Sequence, residues 1–255
     1  MSNVLTDSAL VFRREMMLVL RDPFSVIFSI VQPLVFLGLF GPLLGGSVPP
    51  AALGGQSALQ WFLPGVLVMI CLFGTSTVGA NLLYEFMTGS YERVVATPLR
   101  RSSLLIGRAL KELAPLVVQA TLITAVAVPF GFQLHLGHAA FGLLILGVFG
   151  VGVGAFSYSL GIATRKREWM FWGVQQSLIF PLLILSGMMQ TIESGPEWMQ
   201  VAARFNPLSF IVDAERALFA NATFDAAVLK GVVVAVLTCA VGLIIGVRQI
   251  RRSTT

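Results

Sequence analysis

Residues 61–102 read WFLPGVLVMICLFGTSTVGANLLYEFMTGSYERVVATPLRRS. The first 23 of them carry no charged side chain, and the rest gather five: Glu85, Glu92, Arg93, Arg100 and Arg101. A helix needs about 20 apolar residues to cross roughly 30 Å of hydrocarbon, so 61–83 reads as a membrane span running into a charged insert. The whole chain agrees. Of its 255 residues 56 % are hydrophobic and 11 % charged, with a mean hydropathy of +0.85. A soluble protein of this size needs a polar shell that such a composition does not supply. A barrel would show short alternating strands, not long uninterrupted apolar runs. The expectation is an all-α integral membrane protein, one transmembrane domain over 1–255.

Six spans can be drawn outward from this stretch, at 24–44, 61–83, 108–131, 140–163, 169–189 and 228–247. Residues 1–23 precede them as an interfacial helix. Phe12, Met16 and Val19 recur at helical spacing on one side, Arg14 and Arg21 lie on another, Asp7 or Ser8 serves as cap, and Pro23 turns into the first span. The 84–103 segment connects spans two and three. The 190–227 segment connects spans five and six; it holds Glu193, Glu197, Asp213, Glu215 and Asp225 yet keeps apolar runs. It is too apolar for a linker and reads as half-embedded helices, a re-entrant region.

Basic residues sort by side. Fourteen of the seventeen Lys and Arg fall in the N-terminal segment, the second-to-third connection with the start of span three, the fourth-to-fifth connection, and the C-terminal tail. Arg204, Arg216 and Lys230 remain for the other face. The positive-inside rule places both termini in the cytoplasm. The net charge of +5 is thus a topology signal, and nucleic acid drops out as a partner.

Several chemistries find no residues. There is no phosphate-cradling G-x-x-x-x-G-K-S/T; the glycines of GVFGVGVGAF, with Gly150 and Gly154, and the pair Gly242 and Gly246, read as helix-packing surfaces. His135 and His138 lack a third ligand, and Cys71 and Cys239 sit in apolar runs, so neither a metal site nor a disulfide is expected. Asn221-Ala222-Thr223 matches a glycosylation sequon by chance. No acid or base falls at the middle of a span, as a proton-coupled transporter would need, and no nucleophile–base constellation appears. The chain is not expected to be an enzyme or to bind a cofactor.

Polar residues inside spans have two readings, hydrogen bonds between helices or the lining of a path. Ile70, Phe73, Thr77 and Asn81 share one face of span two. Phe171, Gln175, Ile179 and Ser186 share one face of span five, where Pro181 can kink the helix. With Gln32 of span one, Phe73, Thr77, Asn81, Phe171 and Gln175 are the candidate path, an aromatic and amide surface suited to amphipathic or lipid-like cargo. In the insert, a helix over 84–96 puts Met87, Tyr91 and Val94 on one side and Glu85 and Glu92 on another, beside Gly89. Pro98 forces Thr97 out of helical geometry, ending the helix. The insert is then an amphipathic hairpin able to dock a partner.

At these residues the sequence resembles a family. RREMMLVLRDPFSVIFSIVQPLVFLGLFG (13–41), LPGVLVMICLFG (63–74), YEFMTGSYERVVATPLRRSSLLIGRAL (84–110), LSGMM (185–189) and NPLSFIVDAERALF (206–219) are similar, in order, to type-2 ABC exporter permeases near the daunorubicin-resistance branch. The resemblance implies a six-span subunit of the bacterial plasma membrane that pairs with a second permease chain, identical or paralogous. A separately encoded ATPase, which binds the ATP and Mg, would drive it. Glu85, Gly89, Glu92, Arg93 and Pro98 of the hairpin, with Arg14, would couple to that ATPase. Asn206, Pro207, Asp213 and Arg216 would form an outer gate, although Arg216 three residues after Asp213 also suits a local ion pair. The expected cargo is a drug, an antibiotic or a lipid-like amphiphile; a polysaccharide or glycolipid exporter is the alternative, and a self-contained channel or scaffold the remote one.

Overall fold

Ser57 starts the central helix of the molecule: its hydroxyl accepts the Gln60 amide N–H at 3.1 Å, satisfying a donor the first helical turn leaves over. In the computed structural model, which describes residues 4–21, 23–47, 55–91, 101–222 and 225–252, all regular elements are helical. They are α1 (Val4–Leu20), α2 (Pro23–Ser47), α3 (Ala58–Met87), α4 (Arg101–Lys111), α5 (Leu113–Ala127), α6 (Leu136–Ala163), α7 (Glu168–Ile184), α8 (Glu197–Arg204), α9 (Pro207–Phe219) and α10 (Ala226–Arg252).

Among the described residues, five segments are long and apolar enough to cross a membrane: Ser29–Gly46, Ala58–Met87, Ile106–Phe130, Leu136–Ala163 and Ala226–Ile250. The expected span 169–189 is instead the 17-residue helix α7. At 1.5 Å per residue it reaches about 25 Å, because the chain leaves helical geometry at Leu185 and turns at Gly187, whose φ is +73°. The expected span 108–131 begins earlier and is broken. Pro115 lacks the N–H that would bond the Lys111 carbonyl, so α4 ends at Lys111 and α5 restarts at Leu113.

α3, α6 and α10 form the centre, with α9 lodged against all three. Lipid tails are as apolar as these side chains, so close backbone approach does the work that water exclusion does elsewhere. Gly79 of α3 lies directly on the Ser157 carbonyl and the Phe171 ring. Gly152 of α6 lies on the backbone of Thr238 and Cys239, where a Cβ would come within 2.6 Å, and Gly242 returns the contact from α10. The GVFGVGVGAF run therefore serves two neighbours: Gly150 faces Thr75 and Cys71 of α3, and Gly152 faces α10. Ser157 donates to the Ser76 carbonyl and accepts the Gly79 N–H at 2.9 Å.

α1 packs on α4 with a face other than the one its apolar spacing suggests. Asp7, Ser8, Val11 and Glu15 are buried, whereas Phe12, Met16 and Val19 are only half-buried. The helix starts at Val4, so neither Asp7 nor Ser8 caps it. A Cβ at Gly107 of α4 would lie 2.7 Å from Val11, which is why this pair of helices can close with polar residues at the seam.

Candidate coupling and gating sites

The charged insert and its surroundings form one end of the bundle. α3 stops at Met87, and Gly89 takes φ +64°, a left-handed conformation that glycine adopts without strain. The continuous 84–96 helix expected from the sequence is therefore interrupted here; Ser90 and Tyr91 resume helical geometry, and Tyr91 lies on Phe86 with ring centroids 4.4 Å apart. Glu92, Arg93 and Pro98 lie outside the described residues.

Glu85 turns inward. Its carboxylate accepts a hydrogen bond from the Arg108 guanidinium of α4, and Arg108 Nε stands 3.6 Å from Glu15 Oε1 of α1. Arg108 also reaches the Tyr158 hydroxyl of α6 at 3.5 Å and lies 5.6 Å from that ring's centroid. Arg108 is 5 % exposed and Glu15 7 %. One buried cation thus joins four helices, α1, α3, α4 and α6. Arg14, on the exposed side of α1, stands 3.8 Å from Glu15. Ile250, near the end of α10, packs in the same cluster as Tyr158, Val78 and Leu82, so the first and last helices both reach this end. Arg108, Glu15 and Tyr158 were not among the sequence candidates. Arg108 counted there only as one basic residue of a topology signal.

The opposite end holds the gate candidates. Asn206 caps α9, accepting the Leu208 N–H at 3.0 Å, while its amide donates to the Leu182 carbonyl at 2.7 Å; Pro207 fills the first helical position, where its missing N–H costs nothing. Ser209 donates to the Leu185 carbonyl at 3.0 Å. Arg216 donates to the carbonyls of Gly187 (2.8 Å), Met188 (3.3 Å) and Trp61 (3.2 Å), and its guanidinium lies 3.6 Å over the Trp61 ring. These donors satisfy carbonyls of the turn that follows α7 and of the first turn of α3, tying both to α9. The local Asp213–Arg216 pair is not formed: Arg216 spends its donors on backbone. Burial lowers its pKa to about 10, so it stays charged at neutral pH. Asp213 sits on the rim of a cavity of about 330 Å³ shared with Arg216, Glu193 and Arg204. Gln60, overlooked in an uncharged stretch, donates to the carbonyls of Phe219 (2.8 Å) and Gln133 (3.2 Å) and accepts the Gln133 N–H at 2.9 Å. It pins the end of α9 to the loop before α6.

The path candidates divide. Thr77 and Asn81 lie on an exposed stripe of α3, and Gln32 is exposed on α2. Phe171 is fully buried against Gly79, and Gln175 is buried with Oε1 unpartnered, both on the face α7 turns toward α3. Phe73 links the sets, half-buried and 6.4 Å from Phe180 of α7. Gln119 bonds the Ser29 hydroxyl at 2.7 Å, a helix–helix tie. Cys71 and Cys239 are free thiols, and no metal-binding group of residues occurs among the described residues.

A family model described as ABC-2 type transporter matches residues 7–220. The chain belongs to that family. It is 28 % identical over 207 residues to the daunorubicin resistance ABC transporter permease protein DrrB1 of Streptomyces coeruleorubidus, covering 80 % of this chain and 72 % of that one. It is 24 % identical over 235 residues to the probable doxorubicin resistance ABC transporter permease protein DrrC of Mycobacterium tuberculosis, covering 90 % and 83 %. To the probable multidrug ABC transporter permease YbhR of Escherichia coli it is 28 % identical over 167 residues, covering 63 % and 44 %. This ABC-2 permease is accordingly a multi-pass membrane protein.

Proposed function

We propose that this ABC-2 permease is the membrane half of an ATP-driven exporter in the bacterial plasma membrane, moving a drug, antibiotic or lipid-like amphiphile outward. A separately encoded ATPase binds ATP and Mg and sits at the Glu85 end, taken as cytoplasmic from the distribution of Arg and Lys. A second permease chain, identical or paralogous, completes the path along the exposed Thr77 and Asn81 stripe of α3 and the exposed Gln32 of α2, in contact with membrane lipid. α7 serves as the sixth span, shortened because the outer 190–227 region re-enters the bilayer through α8 and α9. Drug resistance in the names of the relatives supports the cargo class.

The observation that carries the reading is the buried Glu15–Arg108–Glu85 cluster. A partner that grips the Glu85 end of α3 or α1 would pull, through Arg108, on α4 and α6 as well, and α3 and α6 reach the opposite end. Coupling needs no more than this: the ATPase must bind one arrangement of those helices better than the other. Co-expression with the nearest encoded ABC ATPase tests it. The two should co-purify, ATP should drive daunorubicin out of cells carrying both, and Glu85→Ala should cut export while leaving membrane insertion intact. An ATPase that never associates, or export unaffected by Glu85→Ala, would defeat the proposal.

A further inference from the structure

Glu215 of α9 is fully buried, and neither carboxyl oxygen has a hydrogen-bond partner. It fits because α6 has glycine opposite: a Cβ at Gly142 would overlap Glu215 Oε2. The residues around it give it no counter-charge. From α3 the titratable neighbour is the Cys71 thiol, whose own hydrogen goes to the Leu146 carbonyl at 3.2 Å. On α6 the nearest titratable residue in sequence is His138, one turn before Gly142. On α10, Lys230 acts on Asp213 rather than on Glu215, and α9 meets α10 through Ala214 and Phe210 at Gly231. On α9 itself Arg216 is committed to the carbonyls of Trp61, Gly187 and Met188.

A carboxylate stripped of water, donors and cations is so costly that the group takes up a proton instead. We propose that Glu215 is a proton-binding site: seated against Gly142 it is a neutral acid, and when α9 leaves α6 it gives that proton to the water that enters, making opening of this end proton-linked. The balance is simple, with one O–H bond broken, a carboxylate left on α9 and one proton released per chain. Burial supplies the bias, raising the pKa from 4.5 to about 8. With the seated acid retaining its proton and the opened one losing it, each pH unit between those values favours opening tenfold. The displacement of α9 rests on reading Asn206, Pro207, Asp213 and Arg216 as an outer gate; occupancy of the carboxyl by a proton does not.

Infrared difference spectroscopy of the full chain in lipid nanodiscs, titrated from pH 6 to 9, reads the proton directly. The expected result is a protonated-carboxyl band present at pH 7, fading as pH rises through about 8, absent in Glu215→Gln and shifted rather than lost in Glu215→Asp. In parallel, a single-tryptophan variant keeping Trp61 reports on α9 through the stacked Arg216, and its quenching by acrylamide should rise over the same pH range. That rise should vanish once Glu215→Gln is added. No band at pH 6 or 7, or a band indifferent to both substitutions, would overturn the site. A titrating band with Trp61 quenching unchanged would leave the proton site standing and overturn its link to the gate. Should Glu215→Gln fail to fold, the band in the natural chain and its shift in Glu215→Asp decide the matter alone.

Discussion

Arg108 is where perturbation should be most informative, because its one side chain joins α1, α3, α4 and α6 at the Glu85 end. At 3.6 Å from Glu15 and an effective dielectric constant near 20, one such pair gains about 4–5 kcal/mol before desolvation is counted. Removing one member of a buried group leaves the others charged and unpaired, at a cost of about 3–5 kcal/mol. Arg108→Met should therefore destabilise the folded chain by that amount, measured by denaturant titration in bicelles with tryptophan fluorescence. The triple variant Glu15→Gln, Glu85→Gln, Arg108→Met removes the orphaned charges as well and should recover most of the loss, since a buried ion cluster is replaceable by neutral groups of similar volume. Stability and coupling then separate: the triple variant should fold and insert, yet lose most ATP-driven export with its ATPase. A loss below about 1 kcal/mol for Arg108→Met would class the cluster with exposed pairs. A triple variant as unstable as the single one would also refute the electrostatic argument, leaving only lost packing.

Four further outcomes follow. Gly79→Ala should cost more than about 2 kcal/mol, because the added carbon lands on the Ser157 carbonyl and the Phe171 ring, whereas Gly74→Ala, with open space around it, should be neutral in the same assay. Gln60→Ala strands the Phe219 carbonyl and should cost about 1–3 kcal/mol in thermal unfolding. Because the unfolded chain ionises Glu215 from about pH 4.5 while the folded chain keeps its proton to about pH 8, stability should fall with rising pH across that window. The slope relative to Glu215→Gln should approach 1.4 kcal/mol per unit and flatten above about pH 8. Lys166→Cys should resist an impermeant thiol reagent applied outside intact cells, while Glu193→Cys should react.

Five of the six spans were legible because an apolar run of membrane length has few other uses, and the Gly-rich stretch of α6 because small residues at close spacing mean contact. What stayed hidden depends on partners distant along the chain. Arg216 three residues from Asp213 suggests a local pair, but Trp61 and Gly187 offer better acceptors, 155 and 29 residues away. Glu85 looks like a solvated docking residue until Arg108 arrives from the next helix. Glu215 passed for one acid of an outer connection, since no local pattern marks the glycine that admits it. The break at Glu112 could have been read: Pro115 is in plain view, and its missing N–H forbids an unbroken 108–131 helix.

The central claim is that this ABC-2 permease moves cargo only when an ATPase works its charged end. Sealed proteoliposomes loaded with the purified chain, with and without the co-expressed ATPase, test it most directly by following daunorubicin movement after ATP is added to the ATPase side. Movement that needs ATPase, ATP and an intact Arg108 is the predicted result. Equal movement by the permease alone, without ATP, would contradict it.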